Sequence, residues 1–146
     1  MAKTIDMQLM RYINLFEKIS RVSTTDCFIY NNTIFFAVPK ALMMQAIGRN
    51  GENVKRISET FSKRIKVVSM PSDKEILDDK MGALKRFITE VVLPVEFTGL
   101  DFNDDVVVLS GSRESKAILI GRDRSREKEL AHVLEKIFGV KAFKIV

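Results

Sequence analysis

Apolar and polar residues alternate along the first third of the chain with two different periods. The first stretch carries apolar residues three or four positions apart, the spacing of one helix face: Ile5, Leu9, Ile13, Phe16 and Ile19. Two runs rich in aromatic and β-branched residues follow at 27–30 and 33–38, and they are typical of short strands. Asn31 and Asn32 between them tolerate a positive φ, which favours a tight hairpin. The pattern therefore predicts a helix followed by two paired strands.

Two short helices and a third strand are predicted next. Pro39 suits the first turn of a helix that extends to Ile47, because the N–H that proline lacks would have no partner there. The segment Gly48–Gly51 interrupts this helix, and a second amphipathic stretch begins directly after it. Residues 65–69 have the composition of a strand, and Pro71 ends that strand. The first half thus has the order α-β-β-α-α-β.

The second half begins in the same way. Ser72 and Glu75 have the spacing of a capping box, which marks the start of a helix. The inward face of this helix is predicted from its apolar positions: Leu77, Met81, Leu84, Ile88 and Val91. A hairpin is predicted after it, with strands at 95–100 and 105–109.

The remaining elements of the second half also follow the order of the first. Ser112 predicts the N-cap of a short helix that reaches Ile120, and the segment Gly121–Arg124 comes next. A longer helix then carries apolar residues at inward positions: Leu130, Val133, Leu134, Ile137 and Phe138. Gly139 predicts the C-cap of that helix, and residues 141–146 predict the closing strand.

The repeated order indicates a tandem duplication. Ile-Gly-Arg occurs at 47–49 and again at 120–122, which is 73 positions later. We therefore predict an α+β protein of two domains, residues 1–71 and 72–146. Each domain is expected to have a three-stranded sheet covered by helices.

Composition excludes several classes of protein. Of the 146 residues, 46% are hydrophobic and 29% are charged, a balance that can bury a core. The longest apolar run, 34–38, is far too short to span a bilayer, and residues 1–6 lack the apolar core of a signal peptide. We therefore expect a cytoplasmic protein without membrane contact. Cys27 and His132 are the only residues of their kinds, which excludes an internal disulfide and an ordinary zinc site.

Positive charge is concentrated in the first half. Residues 1–71 carry 11 Lys or Arg against 5 Asp or Glu, whereas residues 72–146 carry 13 against 14. A net charge of +6 beside one of −1 suggests that the first half meets a polyanion. An ordinary solvated surface is the alternative interpretation.

The most informative segment is Ile47–Gly51 with the basic helix behind it. Its two glycines let phosphates approach backbone N–H groups, and the positive end of the following helix lies at the same place. In this setting the segment resembles the G-x-x-G loop of the KH domain, and the element order matches the type II topology. The resemblance implies a site for single-stranded RNA. The residues expected to contact RNA there are Ile47, Gly48, Arg49, Asn50, Gly51, Asn53, Lys55 and Arg56.

The corresponding segment of the second half departs from that motif. Arg124 stands where a KH loop has its second glycine, and Asp123 adds a negative charge. The Cβ of Arg124 hinders close approach of a backbone, whereas its guanidinium is suited to holding a phosphate. Two interpretations stay open: a residual loop in a packing domain, or a second RNA site formed by Gly121, Arg122, Arg124 and Arg126.

The aromatic residues of the first hairpin also allow two interpretations. Phe28, Tyr30, Phe35 and Phe36 offer flat faces on which bases stack. A small hairpin covered by helices must also bury some of its aromatic side chains, and we favour the core. His132 lies beside the apolar stripe of its helix and is expected to be an exposed bystander.

Two type II KH units in a chain of this length are similar to the archaeal NusA-like family of transcription elongation and termination. The resemblance implies RNA binding by both KH domains together, and RNA polymerase or the elongation complex as a further partner. A two-KH factor in ribosome assembly or RNA processing is the alternative. The scarcity of His, Cys and paired carboxylates argues against an enzyme. We expect a monomer without catalytic residues, metal or cofactor.

Overall fold

A computed structural model describes residues 7–24 and 26–146 of the chain. The chain divides into two compact units between Met70 and Pro71. Ile5, which the sequence places on the first helix, lies outside the described residues. Within the described ranges, no helix has the length and apolar character needed to cross a membrane.

The first unit has the predicted order of elements. Its sheet has three strands in chain order, Asp26–Tyr30, Thr33–Pro39 and Arg64–Met70, of which the first two are antiparallel and the last two are parallel. Asn31 and Asn32 form the hairpin turn with φ of 50° and 57°, which confirms the predicted left-handed turn. The elements are α1 (Met7–Ser20), β1 (Asp26–Tyr30), β2 (Thr33–Pro39), α2 (Met43–Ile47), α3 (Glu52–Phe61) and β3 (Arg64–Met70).

One core holds the helices of this unit against its sheet. Phe16 of α1 stacks on Phe36 of β2 with ring centroids 4.3 Å apart, and Ile57 of α3 is fully buried in the same cluster. Cys27 is buried there as a small apolar side chain. Ile57 thus anchors α3, which directly follows the Gly48–Gly51 segment, to this core.

The aromatic residues on the opposite face of β1 and β2 are buried as well. Phe28 and Phe35 stack with centroids 5.0 Å apart, and Phe28, Tyr30 and Phe35 are each at most 5% exposed. Phe36 is buried in the helix-covered core. None of the four presents a free face to a base, so the interpretation as core holds for all of them.

The second unit repeats the architecture with one more helix. Its sheet again has three strands in chain order, of which the first two are antiparallel and the last two are parallel. The elements are α4 (Asp73–Asp78), α5 (Lys80–Val92), β4 (Gly99–Asn103), β5 (Val106–Ser110), α6 (Arg113–Ile120), α7 (Ser125–Phe138) and β6 (Ala142–Ile145).

The predicted helix ends of the second unit are confirmed. The Oγ atom of Ser72 accepts a hydrogen bond from the N–H of Glu75 at 3.1 Å, and Ser112 caps α6 in the same way. Gly139 ends α7 in the left-handed conformation with φ of 69°. His132 lies exposed on α7, as expected.

Pro39 does not begin a helix. It ends β2 with an extended backbone, φ −56° and ψ 142°, and stands opposite Met70 in the parallel ladder. The fixed φ of proline is compatible with either conformation, and pairing with β3 selects the strand. Residues 40–42 form a 3₁₀ turn, so α2 begins only at Met43.

The long helix predicted after Ser72 is divided into α4 and α5. Asp79 breaks it with φ −155° and ψ 81°, and its Oδ1 atom accepts a hydrogen bond from the N–H of Gly82 at 3.0 Å. The break changes which side chains face inward. Leu77 is 85% exposed and Met81 is 47% exposed, so their predicted inward position is wrong.

The second hairpin lies further along the chain than its predicted strand at 95–100. Asp104 and Asp105 alone form the turn, with φ of 52° and 62°. Aspartate tolerates this left-handed conformation, so a two-residue turn is sufficient. The Asp105 carboxylate lies 3.8 Å from the Nζ atom of Lys80 and 3.9 Å from that of Lys141, which ties the turn to the start of α5 and of β6.

Candidate nucleic-acid interface

The Gly48–Gly51 segment forms a compact turn between α2 and α3. The N–H of Gly48 donates to the carbonyl of Met44 at 3.0 Å, and the N–H of Gly51 donates to the carbonyl of Gly48 at 3.1 Å. Asn50 has a left-handed conformation inside the turn. The turn therefore ends α2 and begins α3 within four residues, and it presents the N-terminus of a ten-residue helix.

Gly48 is required by the structure of the turn itself. Its φ of 82° and ψ of 168° are a combination that residues with a side chain almost never adopt. A Cβ atom at this position would lie 2.8 Å from Cγ of Asn53. The Asn53 side chain occupies that space because its Nδ2 atom donates to the carbonyl of Gln45 at 3.1 Å. Asn53, which the sequence suggested as an RNA contact, thus links α3 back to α2.

Gly51 differs from Gly48 because the space beside it is empty. A Cβ atom there would meet no atom of the protein within 4 Å. Its φ of 71° and ψ of 20° belong to the left-handed region, which asparagine also visits. The open side of Gly51 lies at the N-terminus of α3, where the aligned peptide dipoles favour an anion.

Three basic side chains and one carboxylate, that of Glu52, are exposed in this turn and on the first two turns of α3. Arg49 and Asn50 are exposed in the turn, and Lys55 and Arg56 are exposed on α3. Within the described ranges, Arg49, Lys55 and Arg56 form no ion pair with a carboxylate. Ile47 is half-buried and packs against the core, so it supports the turn from beneath.

The Gly121–Arg124 segment between α6 and α7 has the same backbone conformation. Its first, third and fourth residues match those of the first turn to within about ten degrees in φ and ψ. Gly48 has φ 82° and ψ 168°, and Gly121 has φ 73° and ψ 176°. Asn50 has φ 55° and ψ 29°, and Asp123 has φ 54° and ψ 30°. Gly51 has φ 71° and ψ 20°, and Arg124 has φ 60° and ψ 23°. The loss of the second glycine has therefore not changed the shape of the turn.

Arg126 holds the second turn as Asn53 holds the first. Its Nη1 atom donates to the carbonyl of Ile118 at 3.2 Å, which links α7 back to α6. A Cβ atom on Gly121 would lie 2.9 Å from Cγ of Arg126. Sequence reasoning missed this role. The available signal was a side chain with an N–H donor five positions after the first glycine of each turn.

The electrostatics of the second turn are weaker than those of the first. The Nη1 atom of Arg124 lies 3.0 Å from Oε1 of Glu127, so its charge is already paired. Asp123 stands exposed next to Arg122, and this adds a negative charge where the first turn has a neutral asparagine. The two turns thus share one geometry but differ in net charge.

The chain is similar to one domain family, to two named proteins and to one solved structure. Residues 10–77 match the KH domain. A protein of Methanococcus vannielii named "Probable transcription termination protein NusA" is 28% identical over 139 residues, which cover 92% of this chain and 74% of that protein. A protein of Halococcus morrhuae with the same name is 22% identical over 143 residues, which cover 96% of this chain and 96% of that protein. The crystal structure of APE1850 matches with a TM-score of 0.64 at 28% identity, over 97% of this chain and all of the other.

Proposed function

We propose that this chain, a NusA-like protein whose residues 10–77 form a KH domain, binds single-stranded RNA and acts in transcription termination or elongation. The observation that carries the proposal is the Gly48–Gly51 turn. It combines an open approach beside Gly51, the N-terminus of α3 and three exposed cations, Arg49, Lys55 and Arg56, which have no ion pair among the described residues. A phosphate is the ligand that such a turn accommodates.

The residues of the first turn divide into two roles in this proposal. Arg49, Lys55 and Arg56 contact phosphates, and the backbone at Asn50 and Gly51 receives the strand at close range. The other residues predicted for this site, Ile47, Gly48 and Asn53, maintain the shape of the turn.

The second turn contributes a weaker site in the same proposal. Arg122 contacts the RNA, and Gly121 and Arg126 keep the turn in its binding conformation. Arg124 contributes less because Glu127 neutralises it. We propose that the domains 1–71 and 72–146 bind one RNA strand, and that the chain does so as a monomer.

The remaining expectations concern the cellular role. Two curated relatives are named as probable transcription termination proteins, which supports RNA polymerase or the elongation complex as a further partner.

We expect no turnover of RNA. Within residues 7–24 and 26–146, no group of three or more His, Cys, Asp or Glu residues is placed to hold a metal ion.

The test compares two substitutions of Gly51 that differ by one charge. Gly51→Asp places a carboxylate where the phosphate lies, whereas Gly51→Asn adds the same volume without the charge. Both residues tolerate the left-handed conformation, so both variants are expected to fold. Titration of fluorescein-labelled single-stranded RNA should show at least about tenfold weaker binding for Gly51→Asp, about 1.4 kcal/mol, and a much smaller loss for Gly51→Asn.

Salt dependence and strand preference test the proposed mode of binding. A KH loop holds about four nucleotides, and each neutralised phosphate contributes about −0.7 to the slope of log K against log salt, so the expected slope is about −3. Equal affinity of the folded Gly51→Asp variant and the wild type would refute the proposed site. A preference for duplex RNA over single strands would refute the proposed mode of binding.

A further inference from the structure

A groove between α1 and α3 lies next to the proposed RNA site. It is open to solvent and has a volume of about 760 Å³. Lys18 lines it from the last turn of α1 and Arg21 from the residue directly after α1, and α3 contributes Glu52, Arg56 and Glu59. We call this feature the α1–α3 groove.

The groove begins where the Gly48–Gly51 turn ends. Glu52 and Asn53, which line it, are the first two residues of α3 and directly follow Gly51. Arg56 lies one turn further along the same helix. A strand that is held at the turn and continues past the start of α3 therefore enters the groove without leaving the protein surface.

The charged side chains of the groove suit a nucleic-acid strand. Lys18, Arg21 and Arg56 are exposed and form no ion pair within the part of the chain that the structure describes. They outnumber the two carboxylates, Glu52 and Glu59, which are suited to accept hydrogen bonds from base amino groups. The half-buried side chains of Leu15 and Ile19 add apolar surface. The groove thus offers cations that can bind the phosphates of an RNA strand and carboxylates that can bind its bases.

The second unit does not repeat this charge pattern. The residue 73 positions after Arg56 is Glu129, at the matching place on α7. The last turn of α5 carries no basic residue, whereas the last turn of α1 carries Lys18. The cations of the groove are therefore specific to the unit whose turn has both glycines.

We propose that the α1–α3 groove is a second contact surface for single-stranded RNA, on which the strand continues from the Gly48–Gly51 turn. Lys18 and Arg21 contact the phosphates that follow those held by the turn, and Arg56, which belongs to the turn site and also lines the groove, connects the two surfaces. The inference rests on the proposed function, because it requires RNA at the turn. It extends the expected length of bound RNA beyond the about four nucleotides that a KH loop holds.

Helix stabilisation is the competing explanation for Lys18 and Arg21. A cation near a helix C-terminus interacts favourably with the helix dipole; Lys18 lies in the last turn of α1, and Arg21 directly follows α1. Under this explanation, their removal lowers thermal stability but leaves RNA binding intact. The two roles are therefore separated by measuring both quantities on the same variants.

The experiment uses the full chain and two variants with the same change in charge. Lys18→Gln with Arg21→Gln removes two cations of the groove. Arg11→Gln with Lys63→Gln removes two exposed cations of the first unit that do not line the groove. Binding of labelled mixed-sequence RNAs of about four and about eight nucleotides is measured against salt, and thermal unfolding is followed by circular dichroism.

We expect the groove variant to lose affinity only for the longer RNA. Its dissociation constant should rise about tenfold there, and its salt slope should become shallower by about 1.4, while the control variant stays within about twofold of the wild type. The inference is wrong if both variants lose affinity equally, if neither does, or if only thermal stability changes. Failure of the proposed function is a different result, because then not even the wild type would bind either RNA.

Discussion

At the scale of single residues, the two glycines of the first turn have different physical reasons to be glycine. Gly48 combines φ 82° and ψ 168° with an Asn53 side chain 2.8 Å from the place of a Cβ atom. Gly51 has an ordinary left-handed conformation and free space beside it. One position is thus constrained by the protein, whereas the other is left open toward solvent.

The first prediction compares alanine at these two positions. Gly48→Ala should lower the free energy of unfolding by about 2 kcal/mol or more, because it adds a steric clash to a backbone conformation that is nearly restricted to glycine. Gly51→Ala should cost about 1 kcal/mol, since only the left-handed conformation opposes it. Urea denaturation of both variants measures the difference. Equal losses would contradict the assigned roles.

The second prediction concerns Arg124, the residue at the place of the second glycine. Arg124→Gly removes a Cβ atom from the left-handed position and releases Glu127 from its ion pair. RNA affinity should rise or stay unchanged, because the backbone becomes as accessible as at Gly51. RNA titration of this variant beside the wild type is the measurement. A clear loss would mean that the guanidinium itself contacts the RNA and that Glu127 does not compete effectively.

At the scale of helices and strands, the break between α4 and α5 depends on one side chain. The Asp79 carboxylate accepts the N–H of Gly82, and Gly82 has no side chain to obstruct it. Asp79→Ala should therefore cost about 1 kcal/mol of unfolding free energy, the usual contribution of an N-cap. Asp78→Ala is the matched control, since Asp78 is an exposed neighbour without a capping role. A comparable loss in both variants would rule out the cap as the cause.

Most elements could be predicted because local chemistry determines them. Asn31-Asn32, Ser112 and Gly139 act through their own backbone or the next few residues, so the sequence alone located a turn and two helix ends. Pro39 and Asp79 could not be placed in this way. Their conformations depend on pairing with β3 and on competition between a continuous helix and a cap, and neither can be read from periodicity.

The candidate site shows the same division between local and tertiary information. The glycines and cations near Gly48 are visible in the sequence, whereas the link from Asn53 to Gln45 is not. The sequence shows that Arg124 replaces the second glycine, but it does not show that the backbone of Arg124 keeps the conformation of Gly51. Tertiary packing of α6 and α7, reinforced by Arg126, maintains that conformation without a glycine.

At the scale of the whole chain, the two units differ in charge more than in shape. The first half has a net charge of +6 and the second of −1, although both turns have one conformation. Backbone geometry alone would therefore predict equal sites, and electrostatic attraction alone would predict one dominant site. Matched substitutions in the two turns decide between these views.

The last prediction uses Arg49 and Arg122, which occupy the same position of the two turns. Arg49→Glu should weaken RNA binding more than Arg122→Glu, because Arg122 already stands beside Asp123 in a unit of negative net charge. The Arg122 variant should still lose some affinity, since a weak site tethered to a strong one meets the same strand at high effective concentration. Titration of one single-stranded RNA with both variants, at equal salt, gives the comparison. Equal losses would mean that the shared backbone geometry outweighs the difference in charge, and that both units bind RNA as equals.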